Sequence, residues 1–81
     1  MNSTIRFKIT KDVDIPAGRK IIKFKGSLIA QSFTDIIHFD DNDDEYYLHY
    51  FQTSNRMEAL NFIKMFLEEN NMADLIVLLD I

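Results

Sequence analysis

Side chains that could bind a cation or imitate a polyanion are concentrated between Phe39 and Phe51. The stretch FDDNDDEYYLHYF places five acidic residues within six consecutive positions, and four aromatic residues occupy the next six. Three interpretations of the acidic run are open: a metal site, a mimic of nucleic-acid phosphates, or a turn between two strands. The residues of this acidic loop are Asp40, Asp41, Asp43, Asp44 and Glu45.

The spacing of these acidic residues does not suit calcium. An EF-hand loop needs glycine at its sixth position and glutamate at its twelfth; counting from Asp40, Glu45 and Phe51 stand there. Aspartate and asparagine form turns because their side chains bond nearby backbone groups. The run is therefore predicted to be a solvated turn between two strands, and a weak cation site and an acidic nucleic-acid mimic remain as alternatives.

Two histidines flank the acidic run. If Phe39 pairs with Tyr46 across the turn, His38 and His49 become diagonal neighbours on one face of the sheet. Two imidazoles leave a zinc site incomplete, because such sites take three or four protein ligands. We therefore predict that no metal is bound.

Sequence motifs of catalysis are missing. With only two glycines, at positions 18 and 26, the chain has no glycine-rich phosphate loop. The absence of cysteine excludes disulfides, thiolate metal sites and a cysteine nucleophile. A chain of 81 residues that fills one core leaves little room for an enclosed pocket. The sequence therefore predicts a protein that is not an enzyme and needs no cofactor.

Alternating polarity predicts the first strands. STIRFKIT alternates strictly, which is typical of a half-buried strand over residues 3–10. The segment Pro16–Gly18 has the composition of a turn, and RKIIKFKG follows as a second strand over residues 19–26. Ile22 and Phe24 would point inward in that strand. Because consecutive short strands usually pair, residues 3–26 are predicted to form a basic hairpin.

The remaining strands are predicted with less uniform patterns. Residues 27–33 fit either a helix or a bent continuation of the preceding strand. Residues 34–39 indicate a strand, and the aromatic-rich segment 44–52 indicates another. Residues 73–81 contain a continuous apolar run that favours a buried strand, although periodicity leaves a short helix open.

The segment SNRMEALNFIKMFLEENN predicts an amphipathic helix. Asn55 is placed to cap it, with Glu58 as the partner three residues on. Asn70 and Asn71 suit its end, because asparagine tolerates the left-handed conformation. The fold class that follows is α+β: a single, mostly antiparallel sheet of about four to five strands with one amphipathic helix, from the C-terminal half, packed on one face.

Size and composition predict one small globular domain spanning residues 1–81. Apolar residues make up 47% of the chain, which is more than disordered chains carry. No apolar run is long enough for a membrane span, and the start has no signal-peptide pattern. The expectations are a soluble, cytoplasmic protein and no membrane partner.

A sheet covered by one helix leaves its other face open, and the predicted pairing places an apolar and basic patch there. Exposed patches of this kind usually mark interfaces. The predicted partner-binding residues are Ile36, His38, Tyr47, His49 and Phe51, beside Arg6, Lys8, Lys23 and Lys25.

Charge is divided unevenly along the chain. Residues 1–25 hold seven basic residues against two acidic ones, and residues 26–81 hold eleven acidic residues against two basic ones. The predicted function is a small non-enzymatic protein-binding module, an inhibitor or adaptor, whose partner is another protein or a second copy in a homodimer. By analogy of class alone, such proteins are frequent among phage and mobile-element inhibitors. The alternatives are single-stranded nucleic-acid binding, through the basic first hairpin and exposed aromatics, and an acidic nucleic-acid mimic.

Overall fold

The described part of the chain contains four strands and two helices. The computed structural model describes residues 2–79. The elements are β1 (Ser3–Thr10), α1 (Ile15–Ala30), β2 (His38–Asp41), β3 (Tyr46–Thr53), α2 (Arg56–Glu69) and β4 (Ile76–Leu78). The strands form one antiparallel sheet in the order β2-β3-β1-β4. This β-α-β-β-α-β order is that of the ferredoxin-like, or split βαβ, motif, and the predicted α+β class is confirmed.

The central pair of strands sets the core side of the sheet. β1 and β3 pair so that Ile5 lies opposite Phe51 and Phe7 opposite His49. These four side chains are buried, whereas the residues between them on β1 face the other side because side chains alternate along a strand. The strand predicted over residues 3–10 is confirmed.

The predicted C-terminal helix is confirmed as α2. It buries Ala59, Ile63 and Leu67. Asn55 is its N-cap residue, but the Asn55 side chain donates a 2.8 Å hydrogen bond to the Glu58 carboxylate and makes no bond to the backbone.

A left-handed residue then turns the chain back to the sheet. Asn71 has φ 54°, which asparagine tolerates better than most residues. β4 pairs antiparallel with β1, placing Ile76 opposite Ile9. A strand within residues 73–81 is thus confirmed, but it comprises only Ile76–Leu78, and residues 73–75 form a turn. Residues 80 and 81 lie outside the described part of the chain.

The second predicted strand is wrong, because residues 15–30 form a helix. Asp14 caps it, its carboxylate accepting a 2.9 Å hydrogen bond from the Ala17 N–H, and Pro16 lies in the first turn. Phe24 is fully buried, whereas Ile22 is 72% exposed. In the predicted strand, Ile22 and Phe24 would both have pointed inward. Their different exposure is that of two residues on different faces of a helix.

The structure decides a segment that the sequence left open and corrects another. Residues 27–30 complete α1, and Ser32, with φ 63°, lies in the turn that follows it. The strand predicted over residues 34–39 begins only at His38. Before it, the Thr34 hydroxyl bonds the backbone of Ile36, which holds these residues in a local turn instead of a ladder.

Both helices pack on the same face of the sheet. The Phe24 ring of α1 meets the Phe7 ring of β1 edge-on, with centroids 5.4 Å apart. It also lies 5.4 Å from the Phe66 ring of α2. The core therefore lies on one side of the sheet, and within residues 2–79 no helix covers the other side.

Candidate functional site

The predicted open face is inverted for β3. Phe39 pairs with His49, not with the predicted Tyr46, and Asp41 pairs with Tyr47. The true pairing is therefore shifted by three positions. An odd shift moves every side chain of one strand to the opposite face relative to its neighbour. The prediction that Tyr47, His49 and Phe51 lie on the uncovered face is wrong: they point to the helix side.

The other predicted site residues are divided among three places. Arg6 and Lys8 lie on the uncovered face, as predicted, because they alternate with the buried residues of β1. Lys23 and Lys25 lie on α1 and not on the sheet. Ile36 is exposed in the segment before β2. The predicted nine-residue patch does not exist as one surface.

The two histidines are on opposite faces, so their predicted proximity is wrong. His38 lies on the uncovered face and stacks on the Tyr50 ring, with centroids 5.2 Å apart. His49 is 4% exposed on the helix side. Among the residues that the structure describes, no group of three or more histidine, aspartate or glutamate side chains is arranged to hold a metal ion.

A groove between α1 and the strands β1, β2 and β3 brings several exposed apolar residues together. Its volume is about 420 Å³. Phe39 and Ile22 both line it and are 59% and 72% exposed. We call this the α1–β2 groove, defined by Val13, Gly18, Ile22, Lys25, Phe39, Tyr47 and His49.

His49 forms part of the lining of the α1–β2 groove. Its imidazole lies between two nearly parallel rings, Phe7 at 5.4 Å and 17°, and Phe39 at 5.5 Å and 20°. Burial, followed by the nearby Lys25 ammonium, lowers the pKa of His49 to about 4. A smaller effect of the Tyr47 backbone acts in the opposite direction, although no described group lies within hydrogen-bonding geometry of Nδ1. The imidazole is therefore neutral near pH 7.

Lys25 is one of two lysines that line the groove. Its Nζ lies 3.5 Å from His49 Nε2 and 5.6 Å from the centre of the Phe39 ring. Within residues 2–79, no carboxylate forms a salt bridge with it. A neutral imidazole and an aromatic ring contact the ammonium, but neither carries the negative charge that would neutralise it.

The opposite end of the groove carries an ion pair. Lys11 bonds the Asp41 carboxylate, and its Nζ lies 4.9 Å from the centre of the Tyr47 ring. The hydrogen bond that the Lys11 ammonium donates to Asp41 raises the pKa of Lys11. The α1–β2 groove thus runs from an unneutralised ammonium at Lys25 to a neutralised one beside the acidic turn.

The acidic turn is confirmed as a structural feature. The Asp43 carboxylate accepts hydrogen bonds of 2.8 Å from the backbone N–H groups of Glu45 and Tyr46. These bonds favour the charged form and lower the pKa of Asp43. Asp40 and Asp41 belong to β2, so the turn is shorter than the predicted loop. All five acidic side chains are exposed.

The uncovered sheet face carries a second arrangement that the sequence did not predict. Tyr46 and Tyr50 of β3 lie on this face, two positions either side of Leu48. Lys8 Nζ lies 5.5 Å from the centre of the Tyr46 ring. This face therefore combines aromatic rings with basic side chains, although not the rings that the predicted pairing placed there.

Sequence reasoning also missed an apolar ridge on α1. Ile15, Ile22 and Ile29 are exposed and recur every seven residues, which places them in one row along a helix. The signals were available: Asp14 and Pro16 mark a helix start. The apolar residues at 17, 21, 24 and 28 follow a helical period.

Neither α1 nor α2 combines the length and the hydrophobicity that crossing a membrane requires. The sequence and the fold match no protein-family model, no curated protein and no solved structure.

Proposed function

We propose that this protein is a small, non-enzymatic protein-binding module, an inhibitor or adaptor, that binds its partner in the α1–β2 groove. The observation that carries this proposal is the gathering of exposed apolar side chains around one concave surface. Scattered apolar residues on a surface are ordinary, whereas a contiguous patch usually marks an interface. Val13, Ile22, Phe39 and Tyr47 are exposed and line one groove.

The charges around the groove favour a protein over a polyanion. α1 carries four basic residues and no acidic one. The acidic turn lies at the other end, next to Tyr47 and Lys11. A nucleic acid would be repelled at that end, because every phosphate has the same sign. A protein surface can match both signs.

Affinity capture from a host lysate tests this proposal with matched variants. Phe39→Asp and Ile22→Asp place a charge in the groove at exposed positions, so they leave the fold intact. Met57→Asp places the same charge at an exposed position on α2 and is the control. We expect the wild type and Met57→Asp to capture the same protein, with or without nuclease. We expect neither Phe39→Asp nor Ile22→Asp to capture it. Capture that disappears with nuclease, or that groove variants retain, contradicts the proposal.

A second candidate function is single-stranded nucleic-acid binding on the uncovered sheet face. Tyr46 and Tyr50 beside Arg6 and Lys8 support it, because RNA-binding modules stack bases on aromatic residues of a four-stranded sheet. Two features weigh against it. The chain has a net charge of −4, and Asp40 lies on the same face, opposite Leu48.

A fluorescence titration with a labelled oligonucleotide at several salt concentrations tests this second candidate. Phosphate contacts would make log affinity fall with log salt by about 0.7 per contact for a single strand. We expect no binding at physiological salt. Sub-micromolar binding that is lost in the double variant Tyr46→Ala, Tyr50→Ala, and kept in Phe39→Asp, would replace the first proposal with this one.

A further inference from the structure

Two glycines lie within α1, at positions 18 and 26, and neither a close approach nor an unusual backbone conformation explains them. Glycine destabilises a helix interior relative to alanine, so it usually marks a close approach or a positive φ. Neither Gly18 nor Gly26 has a positive φ. A Cβ added at either position would meet nothing within 4 Å. The space beside them is open to a molecule outside the chain.

Gly18 differs from Gly26 because it lines the α1–β2 groove. At this position the helix backbone itself forms part of the groove wall, and a side chain there would reduce its volume. The groove also holds two polar groups without a full set of partners. Within the described residues, Nδ1 of the buried His49 has no hydrogen-bond partner and Lys25 has no carboxylate that neutralises its charge.

A second copy of the chain does not suit this groove. Closed dimers use the same surface on both subunits, so a dimer that packs α1 against α1 would bring together two helices that each carry four basic residues and no acidic one. Like charges brought together in this way oppose association. An anionic bilayer does not suit it either, because the acidic turn lies at one end and a bilayer surface would not fill a concave groove of about 420 Å³.

We propose that the groove binds a peptide segment of another protein, with a large apolar side chain of the segment against Gly18 and a neighbouring carboxylate paired with Lys25. This inference rests on the proposed function and adds the chemistry of the partner. The apolar side chain would fill the space between Ile22 and Phe39. The carboxylate would supply the charge that Lys25 lacks.

Selection from a displayed library of random short peptides, with the full 81-residue chain as the target, tests the proposal. We expect the selected peptides to share an aromatic residue or leucine next to aspartate or glutamate. Their synthetic forms are then titrated, by fluorescence anisotropy, against Gly18→Leu, Lys25→Glu and Gly26→Leu. Gly18→Leu fills the groove, and Gly26→Leu makes the same change at an open position outside it.

Gly18→Leu and Lys25→Glu should each weaken peptide binding about tenfold or more, while Gly26→Leu binds as the wild type does. Circular dichroism confirms that each variant is folded. If Phe39→Asp abolishes binding of the selected peptides, they bind in the groove. Such peptides overturn this inference if they lack carboxylates, but they leave the proposed function standing. If no peptide is selected, or if Phe39→Asp binds the selected peptides unchanged, both fail. Wild-type binding to phosphatidylserine vesicles that is lost in Lys25→Glu also overturns the inference.

Discussion

The ammonium of Lys25 lies 3.5 Å from Nε2 of His49, an imidazole that is 4% exposed. Burial and this cation hold the pKa of His49 at about 4, below the value of 6.5 for a free histidine. In the unfolded chain His49 has its ordinary pKa of 6.5. As pH falls, the unfolded state therefore binds a proton at His49 before the folded state does. The contribution of His49 to the free energy of unfolding is complete above about pH 6.5 and is lost as pH falls toward 4.

We therefore expect the free energy of unfolding to decrease by roughly 1–2 kcal/mol between about pH 7 and about pH 5 because of His49. Urea denaturation at several pH values measures it. His49→Phe removes the titrating group and should flatten this dependence. His38→Gln removes the other histidine, leaves the Lys25–His49 pair in place and should keep it. An undiminished decrease in His49→Phe would contradict the assignment.

Substitutions at Phe24 and Ile22 distinguish the helix from a strand. Phe24→Ala empties a fully buried site between two other rings and should cost about 3–5 kcal/mol of unfolding free energy. Ile22→Ala, at a position 72% exposed, should change it by less than about 0.5 kcal/mol. Chemical denaturation measures both. Comparable losses would show that both residues point into the core.

Alanine at the two glycines of α1 should stabilise the fold. Gly18→Ala and Gly26→Ala each remove unfolded-state entropy at a helical position where the new Cβ meets nothing within 4 Å. We expect each to raise the unfolding free energy by about 0.5–1 kcal/mol. Thermal and urea unfolding of the single and double variants measure this gain. A loss of stability at Gly18 would indicate a packing role within the chain itself.

Asp43 should be the one acidic residue of the turn with a measurable structural role. Its carboxylate accepts two backbone hydrogen bonds, each 2.8 Å long. Asp43→Ala should therefore lower the urea midpoint, whereas Asp44→Ala, in the same turn, leaves it unchanged. Because bonding to the backbone favours the charged form of Asp43, the difference between the variants should shrink in strong acid. Equal midpoints at pH 7 would contradict this role.

The same turn is expected to bind no cation tightly. Its spacing departs from that of calcium loops, and the Asp43 carboxylate is already engaged by the backbone. Calorimetry with calcium and with magnesium should show nothing tighter than about millimolar affinity. Micromolar binding that Asp41→Asn and Asp43→Asn abolish would require a different account of the turn.

Elements whose pattern is local were determined by the sequence alone. β1 alternates strictly over eight residues, and α2 keeps one apolar face over fourteen. The left-handed Asn71 and the turn at Asp43 also follow from residue type, because each depends on its own backbone and near neighbours. These features were predicted correctly since no distant segment was needed to decide between alternatives.

α1 shows where a local pattern was ambiguous. Ile22 and Phe24 alternate as in a strand, whereas Ile21, Phe24 and Leu28 recur as on a helix. Phe24 fits both periods. The helix prevails because it buries Phe24 against Phe7 and Phe66, side chains that lie far away in the sequence.

The candidate site depended entirely on tertiary structure. Whether Phe39 lies opposite Tyr46 or His49 changes which face of β3 is buried, and a shift by an odd number of residues reverses that face completely. The sequence named Tyr47, His49 and Lys25 as candidates, but placed them on an uncovered sheet. Only the packing of α1 beside β2 converts them, with Phe39 and Gly18, into a groove. Alternation fixes which residues share a face, whereas long-range pairing decides what that face meets.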